Sequence, residues 1–345
     1  MNFSKASLAL LVALTTANCE YSLKRYASEE EAPAGDFILD VDDLVIEDAT
    51  KAGVSSNEFQ LLTNGTTNLG CTEGADGQPT TGFGTVNNSV SLNSFAVYMG
   101  ETFSFPFTIK PTAVVLRVKR TGNPSANAIV ELTDLAAGAP DESDVVATSS
   151  TIAMSGFATG SGSDQTFTFA TAPTLNASTS YAVVLRGVNG SGTVDGSNTI
   201  NWRLGNDTSD CSDFDVLQNS SNTGSTWAND ATGAVPYFHF VVPAFQATGA
   251  GYWIVDGGSS TSWDMASFDI DENPNGDKPG TITYDIGVGA DSSTPSYSQT
   301  GLSLAQVKAL TGLTGRYLYV RVVLNSAYTN MSSSGIGNGA VSEAD

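Results

Sequence analysis

The sequence predicts an all-β protein: tandem antiparallel β-sandwich domains, jelly-roll-like, with one short helix in the second. Three observations carry this. Apolar residues recur at every second position in many short segments, the period of a half-buried strand. Turn residues separate those segments: the chain holds 35 glycines, with abundant Ser, Thr, Asn and Asp. One stretch alone combines helical spacing with a capping signature. At 345 residues the chain has room for two hydrophobic cores. Its 40% hydrophobic and 9% aromatic content excludes a wholly disordered chain.

Residues 1–17 read as a signal-like apolar segment. Lys5 precedes an apolar run from Ala6 to Leu14, and Thr15 and Ala17 suit a signal-peptidase site before Asn18. The run is far short of the roughly 20 residues needed to span a bilayer, so no membrane span is expected. Cys19 resembles the cysteine of a bacterial lipobox, although Asn18 departs from it. An uncleaved segment that docks into a partner is the third reading. Residues 18–90 form an N-terminal arm and long loops, in which Phe37, Leu39 and Val41 alternate as a short strand or extended arm.

Residues 91–242 form the first sandwich. Phe103, Phe105, Phe107 and Ile109 alternate with polar residues, and Pro106 marks an edge or bulge. Further alternating segments centre on Val114–Val118, Ala128–Leu132, Phe167–Phe169, Tyr181–Leu185, Ile200–Leu204 and Phe238–Val242. A Pro/Gly/Ala-rich linker follows at 243–251. The second sandwich-like domain spans 252–330, with strands over 281–288 and 316–324. Between them, Ser303 and Gln306 predict the helix: each side chain satisfies a free backbone N–H of the other's turn. The sequence 331–345, MSSSGIGNGAVSEAD, shows no period and predicts a mobile tail or one docked on a neighbour.

The flow of segments carries a resemblance. ETFSFPFTI leads to KRTGNPSA, then to QTFTFATAPTLNASTSYAVVLRG and VPYFHFVV, and this part resembles β-sandwich domains of bacterial surface proteins with interchangeable anchors and of phage tail or virion proteins. Residues 252–325 resemble a second type of β-sandwich unit seen in similar proteins, where a WxxxxFDID segment precedes TITYDIGV and LTGRYLYVRVVL. What the resemblance implies is fold and display; it brings no catalytic residues. The expected protein is therefore a non-enzymatic structural or display protein of an extracellular surface, filament or virion. Its expected partners are itself or other surface or virion proteins. The alternative is an adhesion or carbohydrate-binding module, with glycans as partners, and the third choice is a glycoside-hydrolase-like enzyme.

Charge narrows the classes further. Asp and Glu number 36 against 14 Lys and Arg, a formal net charge of -22. Phosphate neutralisation needs a basic surface, so nucleic acid is excluded as a partner. No cofactor is required, and calcium is the one to consider. Asp269, Asp271, Asn273, Asn275 and Asp277 supply oxygen ligands two residues apart, yet Pro274 and Gly280 stand where an EF-hand needs glycine and glutamate. A turn held by Asx side chains explains the same residues without metal. Asp207, Asp210, Asp213 and Asp215 form a second acidic patch open to the same two readings.

For catalysis, the single histidine, His239, would have to serve any Ser-His-Asp triad, and no nucleophile motif accompanies it. Asp134, Asp141, Glu142 and Asp144 surround a turn as a solvated acidic face. Trp227, in the loop-like SSNTGSTWAND, is the tryptophan best placed to stack on a sugar, or else it tucks under its own loop. Tyr317, Tyr319 and Arg321 share the face opposite the predicted core and are candidates for an interface. Cys71 and Cys211 form one disulfide if their Cα atoms approach within about 7 Å, or remain two thiols.

Overall fold

The computed structural model describes residues 36–70, 88–105, 107–205, 218–229, 235–273, 280–327 and 334–344. The fold is all-β and antiparallel, with a single α-helix, Leu304–Lys308, among the described residues. Both halves of the predicted capping box form around that helix.

Two sandwiches are present, and one is inserted into the other. The outer sandwich is continuous in sequence, from Thr63 to Phe245. One of its sheets runs in the order Ala139–Thr148, Asn127–Ala136, Tyr181–Gly187, Tyr98–Phe103, Gln218–Ser220, Ala228–Asn229. The facing sheet has the order Val235–Pro236, Thr199–Gly205, Ala113–Thr121, Phe238–Phe245, Thr63–Gly70. Alternate residues of both sheets fill one core: Val130, Leu132, Val183 and Leu185 meet Val114, Leu116, Trp202 and Phe240, all completely buried. Each such side chain contributes about 1.5–3 kcal/mol by leaving water.

The predicted Phe103–Ile109 strand is shorter than its alternation. The ladder stops at Phe103, yet Phe105, Phe107 and Ile109 stay buried as the chain crosses the end of the sandwich. A period of two records which side chains point inward. It does not require a partner strand to follow them.

The basal sandwich draws on both ends of the chain. Its strand order is Gln299–Leu302, Thr281–Gly289, Thr314–Asn325, Thr248–Glu272, Gly335–Glu343, Glu58–Leu61, Ala52–Ser55. Thr248–Glu272 serves both layers: its first part pairs with Thr314–Asn325 and its part from Trp263 onward with Gly335–Glu343. The corner lies at a register shift between Asp256 and Thr261. There Gly258 takes a positive φ of 77°, and a side chain on Gly257 would meet the Thr261 hydroxyl at 2.5 Å.

Three predicted boundaries change. The N-terminal arm contributes strands to the basal sandwich, where Phe37, Leu39, Val41 and Phe59 join the core of Trp253, Trp263 and Leu318. The linker at 243–251 is mostly strand, because the chain crosses between sandwiches within two residues of Phe245. There the N–H of Gln246 donates to the carbonyl of Leu62 at 2.9 Å. The predicted tail ends in an inner strand. Gly335–Glu343 pairs with Thr248–Glu272 on one side and with Asp36–Leu39 and Glu58–Leu61 on the other. Its glycines answer close approach: a Cβ on Gly335 would lie 2.0 Å from Glu58, and one on Gly339 2.3 Å from the carbonyl of Asp269.

Candidate functional site at the Trp227 cleft

The outer sandwich carries a cleft of about 410 Å³ between two hairpins. One hairpin joins Asn127–Ala136 to Ala139–Thr148 and contributes Pro140, Asp141, Glu142 and Ser143; the other joins Gln218–Ser220 to Ala228–Asn229 and contributes Thr223 to Trp227. Beneath them runs a rung of the sheet. Glu131 lies opposite Val184, Val184 opposite Gly100, and Gly100 opposite Gln218, so all four share the outward face.

Local sequence explains how the walls form. The first hairpin turns at Ala137 and Gly138, both with positive φ (53° and 83°), as a two-residue turn between twisted strands requires. Its register then shifts between Pro140 and Val145. Such a bulge re-aims side chains, and here Glu142 turns over the sheet, its stem against the backbone of Gly224. The second wall is an Asn-centred turn: the Asn222 carboxamide oxygen accepts from the N–H of Thr226 at 3.0 Å. Thr223 holds a φ of 60°. For a β-branched residue that left-handed backbone stores about 1–3 kcal/mol.

Trp227 rests on Gly100, which would carry a Cβ 3.0 Å from both the indole and Pro140. The other three tryptophan indoles all donate to backbone carbonyls: Trp202 to Tyr237 at 3.0 Å, Trp253 to Asp40 at 2.7 Å and Trp263 to Gly315 at 3.0 Å. The Trp227 Nε1 is buried with no partner among the described residues, as are Glu142 Oε1 and Gln218 Oε1. Each such orphan costs about 1–3 kcal/mol.

The electrostatics beneath are uneven. Arg186 donates two bonds to the Glu131 carboxylate and lies 5.6 Å from the centre of the Tyr98 ring. Burial, and next the negative charge of the adjoining Glu131, pushes the Glu142 carboxyl up to about 7, with Arg186 opposing. Glu142 thus departs from the solvated acidic face expected for this turn. Asp141, by contrast, is held below the usual carboxylate range by bonds from Ser143. Asp134 is raised by burial and then by the charges of Asp144 and Asp141.

The remaining candidates fall elsewhere. His239 lies opposite Val115 on the outward face of the other sheet. Burial lowers its pKa against the pull of Asp164, and that carboxylate already pairs with Arg117 at 2.8 Å. Asp269 is bonded by Lys308 at 2.9 Å. Asn273, at a φ of 57°, accepts from the N–H of Gly335 at 2.9 Å. Asp271 is exposed, and Asn275 and Asp277 lie outside the described residues, as do Asp207, Asp210, Asp213, Asp215, Cys71 and Cys211. Among the described residues no three His, Cys, Asp or Glu side chains converge as a metal set.

Tyr317 and Tyr319 are buried rather than presented to a partner. The Tyr319 hydroxyl donates to the carbonyl of Asp291, and Arg316 stacks 4.9 Å from the centre of the Tyr317 ring. Arg321 holds Glu47 through two bonds (2.6 and 2.8 Å) and Asp285 at 2.7 Å, fastening the N-terminal segment to the basal sheet.

The sequence singles out Trp227, which lines this cleft, but not Gly100, Pro140 or Gln218. Gly100 was the findable one, since a glycine inside a strand marks close approach by another group. No protein-family model and no curated protein matches the chain.

Proposed function

We propose that the protein is a non-enzymatic display protein, in which the basal sandwich is the attached part and the outer sandwich the presented part. The observation that carries this reading is the insertion. Asp36–Leu39 pairs with Gly335–Glu343, so the first and last described strands lie side by side in the basal sandwich, while the outer one hangs from two adjacent crossings near Leu62 and Gln246. That arrangement holds a module away from its point of attachment without a flexible linker. A net charge of -22 suits a surface exposed to a salty medium, and the surface would be that of a cell, a filament or a virion.

The cleft favours the adhesion reading as the role of the presented part, because its aromatic wall stands beside hydroxyl and carboxylate groups. It does not favour glycoside hydrolysis. Glu142 has Glu131 as its carboxyl neighbour, and Glu131 is already engaged by Arg186 through two bonds, whereas hydrolysis needs a second carboxylate free to act as nucleophile or base.

The test is to isolate the protein from its native source and determine its mass and assembly by intact mass spectrometry and electron microscopy. Chain found in a regular particle or filament, or on the outer surface of cells, supports display. A free monomer in the cytoplasm overturns it.

A further inference from the structure

We propose that the Trp227 cleft is a binding site for a neutral saccharide, which enters as the loop from Asn222 to Trp227 lifts. This deepens the display reading by giving the presented face a ligand class, and it rests on that reading only for its biological setting.

Three independent features meet at this one place. The first is the pattern of orphan atoms: one donor, Trp227 Nε1, and two acceptors, Glu142 Oε1 and Gln218 Oε1, all without partners among the described residues. A sugar hydroxyl accepts and donates at once, so neighbouring hydroxyls match such a mixed set, while an ammonium group has no acceptor for the indole. The second is the indole itself, an apolar plate against which the C–H face of a pyranose can lie. The third is the loop. Thr223 is held in left-handed backbone, and the adjoining Gly224 carries its positive φ of 80° without strain. A loop that stores strain when closed is biased to move at that hinge, and the orphan atoms lie beneath it.

Charge selects among sugars. Asp141 and Glu142 line the cleft with Glu131 on the sheet beneath, and the Arg186 guanidinium is already held by Glu131 through two bonds. A uronic or sialic acid would bring further negative charge with no cation left to receive it. The volume of about 410 Å³ falls within the range of small-molecule sites, roughly 300–1,000 Å³.

The experiment uses the full chain with ¹⁵N-labelled tryptophan side chains, giving one indole N–H resonance for each of the four tryptophans. That of Trp227 is assigned from the spectrum of Trp227→Phe. Lactose, mannotetraose, cellotetraose and N-acetylated chitotetraose are titrated in, with sialyllactose, tetragalacturonate and choline as controls. The expected result is that at least one neutral sugar moves the Trp227 resonance saturably and leaves those of Trp202, Trp253 and Trp263 in place. Trp227→Ala then weakens binding at least tenfold. The wild-type titration decides the matter even where that variant fails to fold. Silence from every neutral sugar, a response to choline or the acidic sugars alone, or binding that moves another tryptophan each overturns the site. Those failures leave display standing, since display is judged by where the native protein is found. A sugar bound by a cytoplasmic monomer does the reverse.

Discussion

The two sandwiches solve the same packing problem with different degrees of completeness. In the basal one, interior polar groups are closed off by the chain itself. Trp253 and Trp263 both donate to carbonyls, and Arg321 is shared by two carboxylates. The outer sandwich also closes off its inner tryptophan, with Trp202 fully buried and hydrogen-bonded. On one outward face, however, it leaves three buried atoms without partners among the described residues: Trp227 Nε1, Glu142 Oε1 and Gln218 Oε1. Burying unpaired polar groups is costly, so their concentration in one sandwich and at one cleft separates a region fitted for rigidity from one fitted for a ligand.

The sharpest way to break this comparison lies within the outer sandwich. Trp202→Ala opens a cavity in the shared core and should cost about 3–5 kcal/mol. Trp227→Ala should cost within about 1 kcal/mol, because the residue is only partly buried and its N–H is already unpaired. Urea denaturation of both variants measures the difference. Equal losses would make Trp227 a core residue and remove the distinction. Next in size is Gly339→Val in the basal sandwich. The added side chain meets the carbonyl of Asp269, with an expected loss of about 1–3 kcal/mol. If the sandwiches unfold separately, calorimetry should show one transition lowered and the other unmoved.

A smaller effect is expected from Arg321→Met, which frees Glu47 and strips one bond from the buried Asp285. A loss of about 1 kcal/mol, shrinking in high salt, follows from a pair that is partly screened on the Glu47 side. A salt-independent loss would place the effect in packing. The smallest concerns pH. The Glu142 carboxyl is raised from 4.5 to about 7 in the folded chain, so the folded state holds its proton more tightly than the unfolded one. Stability contributed by this group is therefore full below about pH 4.5, falls as pH rises toward 7, and is level above that. Glu142→Gln should flatten that part of the stability profile. An unchanged slope would mean that Glu142 is as solvated as its sequence suggests.

Much of the fold was legible because burial writes itself into a period of two. Val114, Leu116 and Val118, or Leu318, Val320 and Val322, face inward as their alternation says. The helix was legible because Ser303 and Gln306 satisfy each other locally. The insertion was not. Pairing Asp36–Leu39 with Gly335–Glu343 joins segments at least 300 positions apart, and alternation states which face a residue takes but never which strand lies beside it. The terminal strand was hidden by its glycines: Gly335 and Gly339 imitate a flexible tail when read along the chain, yet in space each fills a gap too narrow for a methyl group. The cleft was half visible. Trp227 stood out in a loop without alternation, but Glu142 is turned inward by a bulge that composition cannot announce.

The pairing of the first described strand with the last has a mechanical consequence. Asp36 stands opposite Ser342, so both ends of this antiparallel pair emerge on the same side. Tension pulling the two ends apart would peel the ladder one rung at a time, beginning with that pair, rather than shear all its bonds together. None of that load passes through the inserted sandwich. A tug transmitted along the chain would yield first at the base, and the cleft in the outer sandwich would keep its shape while it did.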